Sequence, residues 1–524
     1  MSSDSAPRPD KATIGIPPRS YRQRCLVVSG ILLGAAILRS IGLFRQRLTF
    51  DEVITATIAI QPFFDSVVSQ LRFDIHPPLY YLQLHFWALL GQSDVWLILN
   101  SVVWSLAALV SLYLTVKRVF GERVAIGALL VLASMPLAVQ HAQTLRMYSM
   151  LMVLTTWAWF FMHRYVAWDG HHGKDLAKAT LMQLLIVYSH GTGILIAAYL
   201  ATYGLLASRD RPSNRLVRRK FLFAQVFAAL LAIPAVVNSI ARSVTHGQAP
   251  GVVEIEATLV SLLFGEIKAP SIIAGLVAVA VFAYLAIAAV RQTPVRAITW
   301  SLIFIPMATN LLLSYAGKPI WHLRTFVFLL PFIALALAYS VLSSGENRAR
   351  RSGWAWCRYL FSSVLIGAMV TASIDHALTS EKPNDFRGVA SDIAQDLQPG
   401  DVIYAPKWVH FWGVARYLIG PDWGSPLEVQ DPIMTDRWRR ILDALGPIWS
   451  QRLKLEPITR RVTYQGVPLI IGESDARLVA EEAHRVFLVS NYTTRNAPVA
   501  FDNFSIEETR DYHGVVVIVL QRRM

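Results

Sequence analysis

The sequence predicts an α-helical polytopic membrane protein with a C-terminal soluble α/β domain, and three observations support this fold class. Hydrophobic residues make up 54% of the 524 residues and charged residues only 16%, whereas soluble proteins average about 25% charged residues. Apolar runs long enough to cross a bilayer recur up to residue 376, and short helical and strand patterns alternate after it. This composition excludes disordered and ordinary cytosolic proteins, and two cysteines exclude a disulfide framework.

Residues 25–376 are predicted to form a transmembrane domain of about eleven helices, because a hydrocarbon core of about 30 Å needs roughly 17–25 apolar residues per helix. The stretch 179–207 suits two short spans that are broken at residues 189–193. The other runs of suitable length lie at 25–44, 95–116, 124–140, 147–165, 221–239, 270–290, 297–316, 325–343 and 358–375.

The positive charge of the loops predicts the orientation in the membrane. Residues 1–24 form a basic tail without a cleavage site after the first apolar run, and this tail should stay in the cytoplasm. Alternation from there places the other basic loops in the cytoplasm too, and an odd number of spans puts residues 377–524 in the periplasm, outside a cell inner membrane. The net charge of +14 therefore reflects topology, and no nucleic acid partner is expected.

Residues 45–94 are predicted to form one long external loop. Its apolar segment 79–90 would measure only about 18 Å as a helix, so it is too short to span and suits the membrane interface. The loop begins with the adjacent acids Asp51 and Glu52. Neighbouring side chains do not share a face, so a two-carboxylate dyad is disfavoured. One acid could act as a general base while the other orients it, although these two residues alone favour a solvated loop acid.

Further candidates lie at other turns on the external side. Two prolines hold His76 extended, where its ring could bind a phosphate or hydroxyl or simply begin a helix. The cations Arg146, Lys318 and Arg324 could each reach lipid headgroups or face a cavity, and their shared side with Asp51 favours a common anionic ligand. The weaker candidates for substrate binding are aromatic or imidazole side chains, namely His190, Tyr80, His141 and His322.

Residues 377–524 are predicted to form one small extracytoplasmic α/β domain. Helical patterns lie at 385–397, 436–445 and 475–484, and strand patterns at 401–404, 485–490 and 515–520. No glycine-rich phosphate loop opens these helices, so nucleotide binding has little support. Neither a His-x-x-x-His pair nor a carboxylate cluster occurs in the sequence. No metal or other cofactor is therefore expected.

The motifs together resemble a known superfamily. The acidic pair after the first span, the His-Pro-Pro-Leu-Tyr-Tyr turn at 76–81, the Arg-Met-Tyr-Ser turn at 146–149 and a late Arg before a proline-containing span occur in order. This order resembles the GT-C glycosyltransferases, in particular the bacterial dolichyl-phosphate-mannose protein mannosyltransferase-like and aminoarabinose-transferase-like superfamily. The resemblance covers about residues 20–376 and implies a GT-C-like transmembrane domain.

The resemblance also implies roles for several residues. A sugar attached to a polyprenyl phosphate would be used on the outer face without a nucleotide. Asp51 would be the catalytic base, with Glu52 beside it in the acceptor site. Arg146, Lys318 and Arg324 would hold the donor phosphate together with His76. The aminoarabinose transferases have Lys-Pro where this chain has His76-Pro77, so the resemblance leaves the sugar open.

The expected reaction moves a mannose-like hexose, a uronic acid or an aminopentose onto the hydroxyl of a lipid, glycan or protein, with inversion. Phosphate leaves easily when cations neutralise its charge, so the protein needs only a base for the hydroxyl. Two alternatives remain at this point. A transporter would place charges near the bilayer midplane, often in repeated halves. A lipid-carrier-dependent polysaccharide ligase would share the cationic face and differ in its donor.

Overall fold

The computed structural model describes residues 18–168, 173–209, 215–242, 249–266, 271–342, 353–421, 423–424, 461–471, 476–491 and 501–523. Within these ranges the chain forms a large helical bundle followed by a six-stranded sheet with its own helices. The predicted fold class is confirmed. Most of the basic tail and the helical pattern at 436–445 lie outside the described residues.

The bundle and its connections contain seventeen described α-helices, which run in chain order as follows: α1 (Pro18–Ser40), α2 (Phe50–Ile60), α3 (Phe63–Phe73), α4 (Leu79–Ala88), α5 (Asp94–Phe120), α6 (Glu122–Ser134), α7 (Pro136–Ala142), α8 (Tyr148–Ala167), α9 (Gly173–Val187), α10 (Gly193–Arg209), α11 (Arg215–Arg242), α12 (Val252–Phe264), α13 (Ile272–Arg291), α14 (Thr293–Thr299), α15 (Ile305–Tyr315), α16 (Leu330–Leu342) and α17 (Gly353–Thr379). A π-helical turn, Trp300–Phe304, joins α14 to α15, and a 3₁₀ segment, Leu323–Leu329, leads into α16.

Fewer helices meet the length and composition of a span than the predicted eleven. Among the described residues, seven helical segments are long and apolar enough to cross a membrane, or eight if the bent pair α6 and α7 forms one span. The other three predicted spans coincide with α8, α9 and α10. Of these, α9 and α10 contain only 15 and 17 residues. The protein is a multi-pass membrane protein, and the sidedness argued from an odd number of spans stays a prediction.

The bend between α6 and α7 explains a cation inside the first span. The two helices meet at 65°, because Pro136 lacks the amide that would continue the helix. Arg39 is fully buried beside this bend. Its Nη1 donates to the carbonyl oxygen of Ala133 at 3.3 Å, and its Nε donates to Ser105 at 2.8 Å. A cation at a helix C-terminus is stabilised by the exposed carbonyl dipoles, so Arg39 has a structural role here.

The predicted external loop 45–94 is folded into α2, α3 and α4. The apolar segment forms the ten-residue α4, which is shorter than a span, as expected. It packs against the bundle, because Tyr81 and Leu84 are fully buried and the amide of Leu79 donates to the carbonyl oxygen of Tyr188 at 2.9 Å. Leu89 and Leu90 just after it are exposed. The segment is therefore apolar on both faces: its tyrosine face belongs to the protein core, and the leucines that follow are exposed.

The C-terminal domain is a mixed sheet with three described helices. Its strands are β1 (Asp401–Ala405), β2 (Arg461–Tyr464), β3 (Val467–Ile471), β4 (Arg485–Asn491), β5 (Phe504–Tyr512) and β6 (Val515–Arg522), and its helices are α18 (Phe386–Asp396), α19 (Trp408–Leu418) and α20 (Ala476–Glu482). The strand order is β2-β3-β1-β4-β6-β5, with β3, β1 and β4 parallel. The apolar central strands are buried on both faces. The predicted strands at 401–404, 485–490 and 515–520 are confirmed, whereas β2, β3 and β5 were not predicted.

Candidate active site

The adjacent acids Asp51 and Glu52 lie in the first turn of α2, where carboxylates interact favourably with the helix dipole. Thr49 is the N-cap residue, and its amide donates to a Glu52 carboxylate oxygen at 2.8 Å. In a capping box the third residue of the helix accepts a hydrogen bond from the amide of the N-cap residue, and Glu52 accepts this bond from Thr49. This bond holds the Glu52 side chain at the helix end. Asp51, one residue earlier, lies on another face of the helix, and 45% of its side chain is exposed.

Glu52 joins three parts of the chain. Its side chain is fully buried, and its Oε1 accepts from the amide of Leu145 at 2.6 Å and from Lys382 Nζ at 2.7 Å. With the contact to Thr49, these bonds tie α2 to the turn before α8 and to the segment before α18. These contacts give Glu52 a role in holding α2, and its place in an acceptor site stays a prediction.

Asp51 pairs with Arg324 although 273 residues separate them in the sequence. The Nη1 of Arg324 lies 3.1 Å from Asp51 Oδ2, and the two side chains are 51% and 45% exposed. Arg324 belongs to the 3₁₀ segment that leads into α16. Exposed ion pairs of this kind contribute only about 0–1 kcal/mol. The two side chains can therefore separate at little cost when another charged group arrives.

Arg146 is buried beneath this pair and does not reach toward lipid headgroups. Its Nη1 donates to Thr55 Oγ1 at 2.7 Å and to the main-chain oxygen of Asp51 at 3.3 Å. The same nitrogen lies 3.5 Å from Asp74 Oδ2 and from the Tyr81 hydroxyl oxygen. Its Nε is buried without a hydrogen-bond partner. Arg146 thus braces the start of α2 and brings a fixed positive charge to within a few ångströms of Asp51.

Asp74 completes this cluster, and sequence reasoning did not single it out. Its Oδ1 accepts from the amide of His76 at 2.9 Å, its Oδ2 accepts from the Tyr81 hydroxyl, and it is buried. A carboxylate that accepts from the amide two residues on is an Asx turn. This pattern was readable in Asp74-Ile75-His76, but the partnership with Arg146 was not.

The rings of His76 and His190 pack against one another at an interplanar angle of 35°. Their ring centroids are 4.6 Å apart, and His76 Nδ1 accepts from the amide of Gly191 at 3.1 Å. Since Nδ1 accepts, a neutral His76 carries its proton on Nε2 and offers a donor there. The buried ring of Tyr148 lies between His190 and His141, with centroid distances of 5.8 and 4.6 Å. The structure thus brings three of the predicted residues into one row.

Burial, reinforced by the charges of Arg146 and Arg324, holds the pKa of His76 well below its usual value of 6.5. Burial also lowers the pKa of His190, with further contributions from His76 and the same two cations. Both rings are therefore neutral at pH 7. His76 can donate one hydrogen bond to an anion, but it adds no positive charge.

We expect acidification to destabilise the protein through His76. In the unfolded chain this ring titrates near its usual pKa, so below about pH 6.5 the unfolded state binds more protons than the folded state and stability falls. His76→Gln should therefore lose less melting temperature than the wild type between pH 7.5 and pH 5.5, as measured by thermal unfolding. His484→Gln, at an exposed histidine, is the matched control. An identical loss in His76→Gln and wild type would mean that the ring titrates normally.

The remaining predicted residues lie outside the direct contacts of Asp51, Arg324 and Arg146. Tyr80 is buried, with its ring centroid 5.9 Å from that of Tyr81. Lys318 and His322 are exposed on the turn before the 3₁₀ segment, and among the described residues no ion pair joins either of them to Asp51. The structure therefore brings Asp51, Arg324 and Arg146 together and leaves Lys318 outside their immediate contacts.

The C-terminal domain contacts the residues on both sides of the acids. The hydroxyl of Tyr417 accepts from the amide of Leu48 at 3.3 Å and donates to Asp94 at 2.6 Å. Asp94 also pairs with Arg387 at 2.8 Å and with Arg416 at 3.0 Å. With Lys382 on Glu52, these bonds hold the start of α2 against the sheet domain. The sequence did not predict any of these contacts, because the paired residues lie about 300 residues apart along the chain.

Comparisons with known proteins agree with this architecture. Residues 75–238 match the sequence model of a family described as dolichyl-phosphate-mannose-protein mannosyltransferase. The apo crystal structure of ArnT from Cupriavidus metallidurans is similar with a TM-score of 0.61 and 14% identity, over 96% of this chain and 98% of that one. The same enzyme bound to undecaprenyl phosphate gives a TM-score of 0.59 and 12% identity, over the same shares of the two chains. No curated protein sequence matches the chain.

The structural likeness over almost the whole of both chains shows a shared fold, and the family match includes the connections between helices that contain His76, Arg146 and His190. The chain therefore shares the fold of ArnT, and its residues 75–238 match the family described as dolichyl-phosphate-mannose-protein mannosyltransferase.

Proposed function

We propose that this protein transfers a sugar from a polyprenyl-phosphate-linked donor to a hydroxyl group on the external face of the membrane, with Asp51 as the base. The observation that carries the proposal is the pair Asp51 and Arg324 at 3.1 Å, half exposed, above the buried charge of Arg146. A carboxylate and a guanidinium are the two groups that this reaction needs, and here they are neighbours. The donor class is supported by the matched family's description and by the undecaprenyl phosphate bound to ArnT.

In the proposed reaction the donor phosphate competes with Asp51 for Arg324. Once Arg324 binds the phosphate, the Asp51 carboxylate is free to accept the proton of the acceptor hydroxyl. The acceptor oxygen then forms a bond to the anomeric carbon while the bond from that carbon to the phosphate oxygen breaks. Arg324 neutralises the charge that develops on the leaving phosphate. A single displacement of this kind inverts the anomeric centre and releases the polyprenyl phosphate.

Arg146 has a different part in this proposal from the one expected of a phosphate ligand. Its Nη1 is already engaged by Thr55 and by the main chain of Asp51, and Asp74 lies 3.5 Å from it. We therefore assign it the positioning of α2, together with a fixed positive potential near the donor phosphate. Neutral His76 would supply a hydrogen bond, and Lys318 an outer cation that meets the phosphate on entry.

The proposal is tested with purified full-length protein in lipid nanodiscs. The donors are polyprenyl phosphates that carry a mannose-like hexose, a uronic acid or an aminopentose, and release of the polyprenyl phosphate is measured with candidate lipid, glycan and protein acceptors. Release that requires an acceptor supports the proposal. Transfer from a nucleotide sugar alone, or only from a polymer-loaded carrier as in a polysaccharide ligase, would contradict it.

Arg324→Ala is expected to raise the apparent KM for the donor by about 10–150-fold, since a hydrogen bond to a charged group is worth about 1.5–3 kcal/mol. Arg324→Lys should recover part of this loss, because it keeps the charge but not the planar fork. Initial rates at varied donor concentration check both variants. Arg45→Ala is the control, because Arg45 donates to the carbonyl oxygen of Leu378 and not to Asp51. An unchanged donor KM in Arg324→Ala would remove Arg324 from the phosphate site.

A further inference from the structure

A second candidate binding site lies between α9 and α11, away from the acids. The two helices leave a groove of about 640 Å³, a volume typical of small-molecule sites. Leu176, Thr180 and Leu184 line it from α9, and Arg219, Phe223 and Phe227 line it from α11. These positions recur every three or four residues, so each helix presents one continuous face to the groove.

The groove opens away from the protein core. Phe223 is 74% exposed and Leu181, which also lines the groove, is 51% exposed. Toward the core, the helices are joined by a reciprocal pair of hydrogen bonds between the amides of Gln183 and Gln225, at 2.9 and 3.3 Å. Apolar side chains of this size that are left exposed on spanning helices face the hydrocarbon. A chain-like apolar ligand can therefore enter the groove from the bilayer.

Polar groups at two positions along the groove indicate which kind of ligand it could bind. At one end it is lined by Arg219 and Lys220, both exposed. The nearby acid Asp175 does not neutralise them, because it pairs with Arg164 at 3.2 Å. Further along, Thr180 is 8% exposed, and its hydroxyl is buried without a hydrogen-bond partner. The groove thus offers positive charge at one end, and Thr180, which lines it further along, has a buried hydroxyl without a hydrogen-bond partner.

The cationic end lies far from the candidate active site. Leu176 lies near the start of α9, and His190 follows the end of the same helix. Fourteen residues at 1.5 Å each separate them by about 21 Å along the helix axis. Loops rich in Lys and Arg mark the cytoplasmic side of a membrane protein, which is the side predicted for this end. The groove is therefore separate from the donor phosphate site.

We propose that this groove binds an anionic glycerophospholipid of the cytoplasmic leaflet. The phosphate would pair with Arg219 and Lys220, and an acyl chain would lie along the phenylalanines. The Thr180 hydroxyl would donate to an ester carbonyl of the lipid. Basic pockets between spanning helices on this side are suited to lipid headgroups. The ester distinguishes such a lipid from a polyprenyl phosphate, which has no carbonyl for Thr180 to meet.

Native mass spectrometry of the full-length protein, titrated with phosphatidylglycerol or phosphatidylcholine of the same acyl chains, tests this site. The wild type should retain phosphatidylglycerol at several-fold lower concentrations than phosphatidylcholine. Arg219→Gln with Lys220→Gln should abolish this preference. The double variant Arg215→Gln and Arg218→Gln removes the same charge from exposed positions that do not line the groove, so it should keep the preference.

Two further arms keep the proposal falsifiable. Ala224→Trp fills the groove without changing its charge and should weaken retention of both lipids, and Thr180→Val should weaken it to a smaller extent. The proposal is overturned if the wild type does not prefer phosphatidylglycerol, if the preference survives in the Arg219 and Lys220 variant, or if the control loses it equally. Displacement of the lipid by undecaprenyl phosphate at equal concentration would instead assign the groove to the sugar carrier and also overturn the proposal.

Discussion

Asp51→Asn is expected to lower the rate of sugar transfer by about 10²–10⁴-fold at saturating donor, the contribution typical of a general base. The amide has the shape of the carboxylate but cannot accept the proton of the acceptor hydroxyl. The side chain is 45% exposed and its ion pair is with Arg324, so the fold should be unaffected. Initial rates on purified protein, together with the melting temperature, check both parts of this expectation.

Asp51→Asn also tests how tightly the protein binds the donor. Since Asp51 and the phosphate compete for Arg324 in the proposed reaction, removing the carboxylate should leave donor affinity unchanged or increase it. Asp65→Asn, at a partly exposed acid in α3 of the same region, is the matched control and should keep its rate. Near-normal turnover in Asp51→Asn would remove Asp51 as the base. Weaker donor binding with a normal rate would assign the carboxylate to substrate binding.

The sequence predicts only part of the difference between Asp51 and Glu52, namely the contact of Glu52 with the helix end. Sequence reasoning expected one acid to work and the other to orient it. The pattern Thr49-Phe50-Asp51-Glu52 contains the capping-box spacing, a Thr three residues before a Glu. It indicates that Glu52 turns back to the helix end and that Asp51 is the free one. The buried partner Lys382 could not be found in this way, because nothing local in the sequence marks a contact across 330 residues.

The architecture was predictable where it depends on hydropathy and was missed where it depends on packing. Apolar length placed the spanning helices: α5 (Asp94–Phe120) covers the predicted span 95–116, whereas α1 (Pro18–Ser40) begins and ends before the predicted bounds 25 and 44. The helix α12 was missed, because it lies in a connection that was treated only as a link between spans. The same limit applies to α4, whose buried tyrosines meet the protein rather than the membrane surface. An apolar segment must be covered, but its sequence does not show whether protein or membrane covers it.

The contact between Asp51 and Arg324 could be predicted from the sequence only in part, because the membrane side of a residue does not determine its partner. Alternation of basic loops put both residues on one side of the membrane, which reduces the search to a few turns. It did not choose among Arg324, Lys318 and the other external cations. That choice depends on how α16 packs beside α8 and on the short 3₁₀ segment that carries Arg324. Tertiary packing therefore selects the pair from candidates that the sequence leaves equivalent.

Arg146→Met is expected to destabilise the protein by about 3–5 kcal/mol, because it leaves the buried carboxylate of Asp74 without its cation. Asp74→Asn should cost less, since its Oδ1 can still accept from the amide of His76 and its Nδ2 can donate to the Tyr81 hydroxyl oxygen in place of the bond that Oδ2 accepts. In the double variant, neither charge is left uncompensated. We therefore expect the double variant to regain most of the stability lost in Arg146→Met. Thermal unfolding of all four proteins in the same detergent measures this coupling.

Enzyme kinetics on the same four proteins separate the two roles proposed for Arg146. If it acts only by holding Asp74 and α2, activity returns with stability in the double variant. If it also supplies positive potential to the donor phosphate, stability returns while the donor KM stays raised, and this second outcome is the one we expect. The pair Arg164 and Asp175, at 3.2 Å, is the matched control, and its neutralisation should alter stability without altering the donor KM. Simple additivity of the two single changes at Arg146 and Asp74 would contradict their coupling. A donor KM equal to that of the wild type in Arg146→Met would confine Arg146 to the fold.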